Sequence, residues 1–310
     1  MEQLTHIPVL LNEAIELLSP HPGEVVVDCT VGLGGHSSAL ARQIGSTGRI
    51  IGFDLDPDNL ALAAEQIHST GVPFTPIHAN FVSVPQHMDR LGVKADIVLA
   101  DLGFSSTQMD DPARGFSFTE DGPLDMRLDP TATLTAAVLV NGLGESELAD
   151  IIFHNGEEPL ARKIARKLAQ ERRAEPILTT ARLARLVQEA YGSRARTSRM
   201  HPATRTFMAL RIAVNDELGA LRGLLEWISN SAEKVGADGC LNSGARVAII
   251  SFHSLEDRMV KHAFADLAKR GLATRLTKKP VGPSETETIA NPRSRSAKLR
   301  AVRIGAPATT

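Results

Sequence analysis

The chain has few cysteines, few aromatic residues and no long apolar run. Its two cysteines, Cys29 and Cys240, are too few for a disulfide framework or a cysteine-rich zinc site. Aromatic residues make up 4% of the sequence, fewer than expected in a protein that grips single strands mainly by stacking bases. No stretch approaches the roughly 20 apolar residues of a membrane span, and the first residues do not resemble a signal peptide. These absences exclude an integral membrane protein and indicate a cytoplasmic one.

Charge is distributed unevenly along the 310 residues, although the formal net charge is only −2. Residues 1–158 carry a net charge of −17, residues 159–211 carry +10 and residues 212–310 carry +5. Such segregation predicts that the middle and the end of the chain face an anionic partner. Basic, solvated helix faces are the alternative explanation for the middle segment.

Short β-branched runs alternate with helical segments in the first hundred residues. The predicted strands are Val25–Asp28, Arg49–Asp54, the weaker Phe74–His78 and Ala95–Asp101, with two more at 246–252 and 299–304. The clear runs are almost continuously apolar, as parallel strands covered on both faces are. Helices are predicted between them, over 37–44 and 58–68. This alternation predicts an α/β fold with a doubly wound parallel sheet.

The pattern changes after Asp101. Residues 103–130 are rich in glycine, proline and aspartate and are predicted to form a loop. Residues 132–220 are predicted to be helical without a strand, with helices over 158–172, 179–190 and 204–224. We therefore predict one α/β domain formed by residues 1–109 and 206–310, interrupted at 110–205 by a basic helical domain that we predict to recognise RNA.

A glycine-rich loop follows the first predicted strand and opens a helix. Gly32, Gly34 and Gly35 allow the backbone to approach a ligand closely and to turn sharply. Asp54 ends the second strand, where a carboxylate typically accepts both ribose hydroxyls of a nucleoside. Together these residues predict an adenosine-type ligand at the carboxyl ends of the strands.

The spacing of this loop departs from the dinucleotide fingerprint, because Ser37 stands at the third glycine position and Gly35 comes early. The acidic Asp28 followed by a short glycine-rich loop is similar to motif I of S-adenosylmethionine methyltransferases. A nicotinamide enzyme and a purely structural glycine turn stay open as alternatives. The run 54–65 half-matches a calcium loop, but Asn59 replaces the glycine that such a loop requires.

Asp101 ends the third clear strand, at the edge where the crevice of an open α/β sheet forms. Methylation of a pyrimidine at C5 usually needs a cysteine nucleophile, and neither cysteine is placed for that role. Methylation of an exocyclic amine instead needs an acceptor that orients the amino group. Asp101 can accept such an N–H, and Phe104 can stack on the base. Alternatively, Asp101 caps the following loop and Phe104 belongs to the core.

Other chemistries find little support. The run Ser251–Arg258 contains serine, histidine and acidic residues, but the chain has no G-x-S-x-G elbow. Ser254 with Asp257 is better explained as an N-cap pair that opens a helix. The ten histidines show no metal-ligand spacing, so no metal site is predicted.

Several longer blocks match one family in order along nearly the whole chain. They are His6–Leu11, Gly32–Ser37, Asp101–Ser106 with Gln108, Arg114–Phe118, Gly122–Arg127, Gly156–Glu158, His201–Phe207, Asn215–Leu218, Ser251–Arg258 and Asn291–Ser296. With these blocks the chain resembles the bacterial 16S ribosomal RNA (cytosine-N4)-methyltransferases, the MraW or RsmH type. Motif I alone is shared by many methyltransferases, whereas the long blocks are far more specific.

The resemblance implies a Rossmann-like S-adenosylmethionine methyltransferase domain with an inserted all-helical domain. It also implies S-adenosylmethionine as cofactor and N4 of a decoding-centre cytosine in 16S rRNA as the methyl acceptor. The small ribosomal subunit would then be the partner, and a homodimer is possible because family members can pair. Carried over by position, the expected cofactor contacts are Gly34, Gly35, His36, Asp54, Phe81, Asp101 and Gln108.

Direct attack of cytosine N4 on a sulfonium methyl group depends mainly on positioning. Asp101 is predicted to hold the amino group, with Asp125 as a second candidate, since an acceptor that gathers developing positive charge helps a poor nucleophile. The cations expected to contact RNA phosphates are Arg194, Arg196, Arg199, Arg205, Arg293, Arg295, Lys298 and Arg300. Pairing with the acidic first half is the alternative for Arg293 and Arg295. A nicotinamide-dependent oxidoreductase and a non-catalytic ribosome-assembly factor are the rival functions.

Overall fold

The structure, a computed structural model, describes residues 8–197 and 200–305. The chain divides into two compact units, which we call the sheet unit (Met1–Gly103 with Leu218–Thr310) and the helical unit (Phe104–Glu217). The predicted insertion, residues 110–205, falls within the helical unit. Across the described ranges, every helix is too short or too polar to span a bilayer.

Strands and helices alternate in the first part of the sheet unit. In chain order they are α1 (Leu11–Leu18), β1 (Val25–Asp28), α2 (Gly35–Ile44), β2 (Arg49–Asp54), α3 (Pro57–His68), β3 (Phe74–His78), α4 (Val84–Leu91) and β4 (Ala95–Asp101). The bounds of these four strands are those predicted from the sequence. Asp56 begins α3, since its side chain accepts a hydrogen bond from the backbone N–H of Asp58 and Pro57 occupies the first turn.

The helical unit and the second part of the sheet unit complete the chain. The helical unit contains α5 (Ser106–Asp110), α6 (Ala136–Gly142), α7 (Glu145–Gly156), α8 (Ala161–Glu171), α9 (Thr180–Tyr191) and α10 (Thr204–Asn215). The remaining elements are α11 (Glu217–Glu233), β5 (Leu241–Ser251), α12 (Ser254–Lys269), β6 (Ala273–Arg275), α13 (Glu285–Ala290) and β7 (Lys298–Ile304).

The seven strands form one sheet in the order β3-β2-β1-β4-β5-β7-β6. Strands β1 to β5 pair in parallel, and β7 runs antiparallel to both of its neighbours. The chain moves from β1 outward to β3 and then returns to place β4 on the other side of β1. The carboxyl ends of β1 and β4 therefore flank a topological switch point, where open α/β sheets bind their ligands. The predicted doubly wound α/β fold is confirmed.

Alternate strand residues enter two separate cores on the two faces of the sheet. Val26 and Ile50 pack with residues of α1, α2 and α3. Val27 and Ile51 pack with residues of α4, α11 and α12. This period of two is that of a β-strand. Each fully buried aliphatic side chain contributes about 1.5–3 kcal/mol to the free energy of unfolding. The sheet and the helices on its two faces form three layers. Their packing fixes the positions of the strand ends and of the polar residues that follow them.

The prediction of a single helix over 204–224 is wrong, because this segment forms parts of two helices, α10 and α11. Helix α10 ends at Asn215, and Asp216 adopts a left-handed conformation with φ 47° before α11 begins. The side-chain amide of Asn215 donates to the carbonyl oxygen of Met126 and accepts from the N–H of Leu128. Asparagine and aspartate tolerate the left-handed region and offer the backbone such alternative bonds, so they end the helix here.

Two other sequence predictions need correction. The predicted helix over 158–172 starts later, because Glu157 is left-handed with φ 48° and Ala161 is the first residue of α8. The predicted loop over 103–130 contains the short helix α5, which a capping box between Ser105 and Gln108 opens.

Candidate active site

Four parallel strands of the sheet unit end side by side, and a candidate functional residue stands at or just after each end. Asp54 ends β2, Asp28 ends β1, Asp101 ends β4, and Phe81 follows β3 in a short 3-10 turn. Because the strand order is β3-β2-β1-β4, the order along this edge is Phe81, Asp54, the glycine loop and Asp101. The sheet therefore brings together residues that lie up to 73 positions apart in the sequence.

The glycine loop after β1 adopts backbone angles that favour glycine. Gly32 has φ 53° and Gly34 has φ 85°. A Cβ atom on Gly34 would lie 3.0 Å from the Cα of Ala63, whereas a Cβ on Gly32 would meet nothing nearer than the carbonyl oxygen of Thr30 at 4.0 Å. Gly34 thus allows α2 to pack closely on α3, while Gly32 borders open space in which a ligand can lie.

Asp28 organises this loop from within the core. Its side chain is 1% exposed, and it accepts hydrogen bonds from the Ser37 hydroxyl at 2.6 Å and the Thr30 N–H at 3.1 Å. Burial raises the pKa of Asp28 from 3.8 to about 6, with a smaller contribution from the charge of Asp54, and the two hydrogen bonds only partly oppose this rise. The ionised form of Asp28 is therefore costly to bury.

The raised pKa of Asp28 predicts how stability changes with pH. The favourable contribution of this group is complete below its unfolded pKa of 3.8 and is lost as the pH rises through about 6. Asp28→Asn keeps one acceptor for Thr30 and can donate to the Ser37 oxygen. We expect D28N to raise the free energy of unfolding at pH 8 by about 1–3 kcal/mol and to give no gain at pH 4, measured by urea unfolding.

Asp125→Asn is the matched control, because its pKa is shifted the other way. Burial acts to raise the pKa of Asp125, but hydrogen bonds and charge from Arg127 outweigh it and hold the pKa below its ordinary value. The stabilising contribution of Asp125 is present above the unfolded pKa and is lost as the pH falls through the folded one. D125N should therefore lose stability at pH 8. Equal losses in D28N and D125N at pH 8 would contradict this assignment.

Asp54 is held by backbone donors in the place predicted for a ribose-binding acid. The N–H of Gly32 donates to Oδ2 at 2.7 Å and the N–H of Asp56 donates to Oδ1 at 2.8 Å. Burial raises the pKa of Asp54 even though these hydrogen bonds act to lower it. Oδ1 also accepts a longer hydrogen bond from the side-chain amide of Asn59, at 3.4 Å. A carboxylate oxygen has two lone pairs, so Oδ2 can still accept a hydrogen bond from a ligand hydroxyl, and Oδ1 can do so if the ligand replaces the Asn59 amide.

Asp101 has a buried carboxylate oxygen that lacks a hydrogen-bond partner. Within the described ranges no donor reaches Oδ1, while Oδ2 lies 3.7 Å from Nδ1 of His36. Burial raises the pKa of Asp101 well above its usual range, and the charges of Asp28 and Glu256 raise it further. An unsatisfied buried acceptor costs about 1–3 kcal/mol or more, so Oδ1 is suited to receive an N–H from a ligand.

The strand edge is strongly acidic. Asp28, Asp54 and Asp101 end neighbouring strands, and in residues 8–103 and 218–305 none of them forms an ion pair with lysine or arginine. His36 is the basic group close to them; its Nε2 lies 3.0 Å from the carbonyl oxygen of Val9, which fixes the ring. This edge therefore suits a ligand that brings a positive charge and hydrogen-bond donors.

Sequence reasoning missed two polar residues near these acids, Thr30 and Glu256. The Thr30 hydroxyl accepts a hydrogen bond from the N–H of Asp101 at 2.6 Å and so links the end of β1 to that of β4. Glu256, which is 3% exposed, accepts from the N–H groups of Phe252 and His253. The predicted Ser254 cap is thus wrong, since Glu256 satisfies this helix start. Thr30 had a signal in the sequence, because it stands between Asp28 and the glycines.

The remaining predicted cofactor residues have defined surroundings. Phe81 is half-buried against the core, beside Asn80, whose side chain accepts the N–H of Val82 at 2.9 Å. Gln108 belongs to the helical unit and is 5% exposed, and its Oε1 accepts the N–H of Ser105 at 3.0 Å. Contact of Phe81 and Gln108 with the cofactor stays a prediction.

The second predicted acceptor, Asp125, is paired with an arginine. Arg127 donates to both of its carboxylate oxygens, at 2.8 and 2.6 Å, and Arg127 also donates to the carbonyl oxygens of Pro130 and Ala132. Asp125 thus fixes a loop through its arginine. Because Arg127 already donates to both oxygens of Asp125, the structure favours Asp101 over Asp125 as the residue that holds the amino group.

The ring of Phe104 lies within the helical unit among other side chains. It stacks on Phe116 at 4.8 Å, and the guanidinium of Arg211 lies over it at 4.8 Å. Arg211 is itself held by Glu217 through two hydrogen bonds of 2.8 Å. The core alternative for Phe104 is therefore favoured over base stacking.

The predicted RNA-binding cations differ in how exposed their side chains are. Arg194, Arg196, Arg293 and Arg295 are exposed, in 3-10 turns. Arg205 is half-buried and donates to the carbonyl oxygen of Glu157, and Arg199 lies outside the described residues.

The prediction for Arg300 is corrected. It lies on β7, is 8% exposed and donates to both oxygens of Asp257, at 2.7 and 3.3 Å. Lys298 is more exposed and lies 3.5 Å from the same carboxylate. Asp257 thus neutralises Arg300 inside the sheet unit, which leaves this arginine without a surface role.

Comparison with known proteins agrees with this arrangement. The chain matches the MraW methylase family over residues 3–304. It is 47% identical over 313 residues to the Ribosomal RNA small subunit methyltransferase H of Symbiobacterium thermophilum, with 96% of each chain covered. It is 46% identical over 307 residues to the protein of the same name from Acidobacterium capsulatum, with 97% of this chain and 99% of that one covered. The chain therefore belongs to the MraW methylase family.

Proposed function

We propose that this methylase uses S-adenosylmethionine to methylate N4 of a cytosine in the 16S rRNA of the small ribosomal subunit. The observation that carries the proposal is the buried, unpartnered Oδ1 of Asp101 at the same sheet edge as the glycine loop and Asp54. Relatives named Ribosomal RNA small subunit methyltransferase H support the substrate class. The comparisons give no support to an oxidoreductase or a non-catalytic factor.

The residues at the strand edge fit this cofactor. Phe81, Asp54 and the space beside Gly32 follow one another along the edge in the order that an adenine, a ribose and a sulfur substituent require. The acidic edge has no lysine or arginine paired to it in residues 8–103 and 218–305, so a positively charged sulfonium fits its electrostatics. Such a cation favours the ionised forms of Asp28 and Asp101, whose pKa burial raises. The cofactor, when bound, supplies the methyl group.

In the proposed reaction Asp101 positions the acceptor amine. Its Oδ1 accepts an N–H of the cytosine amino group, which turns the nitrogen toward the methyl group. Positive charge develops on this nitrogen as the methyl group is transferred, and the nearby carboxylate stabilises that charge. His36 and Thr30 hold Asp101 in place, through a 3.7 Å contact and the 2.6 Å hydrogen bond to its N–H.

The proposal also includes the RNA contacts, the location and the oligomeric state of the enzyme. The exposed cations Arg194, Arg196, Arg293 and Arg295 are proposed to contact RNA phosphates, with Arg199, Arg205 and Lys298. Internal pairing is the alternative for Arg293 and Arg295. With rRNA as the substrate, we propose that the enzyme acts in the cytoplasm, and a homodimer is compatible with the proposal.

Methyl transfer to rRNA from a strain that lacks the protein tests this function. Small subunits from such a strain are incubated with the purified protein and S-adenosylmethionine labelled in its methyl group. We expect label in 16S rRNA and, after digestion to nucleosides, N4-methylcytidine as the labelled product. Label in another nucleoside would contradict the assigned position, and an unlabelled rRNA would contradict the proposed function.

A further inference from the structure

Helix α8 of the helical unit has one apolar and one strongly basic face. Its apolar face is buried and contains Ala161, Ile164, Ala165, Leu168 and Ala169. On the other face Arg162, Lys163 and Arg166 are exposed, and Arg173 is exposed just after the helix. We call these four cations the α8 stripe; none of them belongs to the RNA-binding set predicted from the sequence.

Local acids neutralise other cations but not this stripe. The segment 159–211 contains three acidic residues, Glu171, Glu175 and Glu189. Lys167 pairs with Glu171 and Glu189 at 2.8 and 2.9 Å, and Arg182 pairs with Glu175. All three acids of the segment are therefore occupied by cations outside the stripe.

Few acidic side chains of the protein pair with the cations of the stripe. In the described part of the chain, Arg162, Lys163 and Arg173 have no acidic partner. Arg166 lies 3.6 Å from Glu145, but both side chains are about half exposed or more, and such a pair contributes at most about 1 kcal/mol. By contrast, the neighbouring Arg172 donates to the carbonyl oxygens of Val140 and Leu143. The stripe is thus a concentration of unneutralised positive charge.

The dimensions of the stripe suit a nucleic-acid backbone. At a rise of about 1.5 Å per residue, Arg162 and Arg166 are about 6 Å apart along the helix axis, and Arg173 lies about 16 Å from Arg162. A nucleic-acid strand in a duplex carries one phosphate per about 3.4 Å of its axis, so a row of this length runs beside about five phosphates.

We propose that the α8 stripe binds the phosphodiester backbone of the RNA substrate, in addition to the arginines of the 192–197 and 292–296 turns. The proposal rests on the proposed function, because it takes RNA as the substrate. Charge complementarity carries it: the stripe contains four exposed cations and no acid. The test must distinguish RNA from an acidic protein surface of the small subunit, which is the other ligand that could bind the stripe.

The test compares two triple variants that remove the same charge. Arg162→Gln, Lys163→Gln and Arg173→Gln are combined in the stripe variant. Arg42→Gln, Lys261→Gln and Lys269→Gln, three exposed cations of the sheet unit, are combined in the control. Equilibrium binding to protein-free 16S rRNA and to intact small subunits is measured over a range of KCl concentrations, and methyl transfer is measured separately.

For the stripe variant we expect a salt slope of log K against log [KCl] smaller by about 2–3, since each phosphate contact contributes about 0.7–0.9. The KM for the RNA should rise with kcat unchanged, and the control should keep the slope of the unmodified protein. If the stripe variant unfolds, Arg162→Gln alone should lower the slope by about 0.7–0.9.

An unchanged slope, or an equal change in the control, would overturn the inference. Loss of binding to intact subunits with normal binding to protein-free rRNA would also overturn it, because the occupant would then be a protein. Failure of the unmodified protein to methylate rRNA would refute the proposed function instead, and the two failures are distinguishable because binding is measured without methyl transfer.

Discussion

Asp101→Asn should lower kcat for methyl transfer by about 10²- to 10³-fold at saturating S-adenosylmethionine. Asparagine keeps an oxygen that can accept the N–H of the acceptor amine, but it carries no charge to stabilise the developing positive charge. Removal of one such electrostatic contact typically costs this much in kcat. The isosteric change also removes a buried acid whose pKa burial and the charges of Asp28 and Glu256 raise, so the protein should fold at least as well.

The D101N measurement needs kcat and KM to be separated. Loss of the carboxylate also weakens attraction to a sulfonium, so KM for the cofactor is measured in the same series. D125N is the matched control, and we expect its kcat to stay within about tenfold of the unmodified enzyme, because Arg127 already occupies that carboxylate. Near-normal turnover by D101N at saturating cofactor would show that Asp101 does not perform this role.

Asp54→Asn should have the opposite kinetic signature. We expect the Kd for S-adenosylmethionine to rise about 30- to 100-fold with little change in kcat at saturation. Hydrogen bonds to a charged group contribute about 1.5–3 kcal/mol each, and the new amide would face the N–H of Gly32 where the carboxylate now accepts. The same increase is expected for S-adenosylhomocysteine and for adenosine, since all three contain the ribose.

Asp56→Asn provides the control for D54N. Asp56 lies two residues further on and caps α3 by accepting the N–H of Asp58, a role that asparagine fills equally well. We expect its cofactor affinity to be unchanged in isothermal titration. If D56N lost as much affinity as D54N, or if D54N lowered kcat and left Kd unchanged, Asp54 would not be the ribose-binding acid.

The sequence predicts the sheet well because its strands are encoded locally. Each of β1 to β4 is a short run rich in apolar residues, and glycine, proline or aspartate marks many of its ends, so pattern and bounds agree. The acids at the strand ends follow directly from this, since parallel strands of a doubly wound sheet end at one edge.

What the sequence does not predict depends on contacts between distant positions. The end of α10 is set by bonds from Asn215 to residues almost ninety positions away. Arg300 has the same appearance in the sequence as Arg295, but Asp257, which lies 43 positions before it, neutralises it in the core. Likewise, the sequence of the basic segment 159–211 does not show which of its cations pair with acids. The structure shows that Lys167 pairs with Glu189 and Arg182 with Glu175.

The central claim is that one pocket, at the ends of β1, β2 and β4, holds the methyl donor beside Asp101. A crystal structure of the protein with S-adenosylmethionine tests it most directly. The account predicts the ribose hydroxyls on Asp54, the chain of the donor beside Gly32 and the sulfonium facing Asp101. Density for the donor elsewhere, with none between Gly32 and the carboxylates of Asp54 and Asp101, would contradict it.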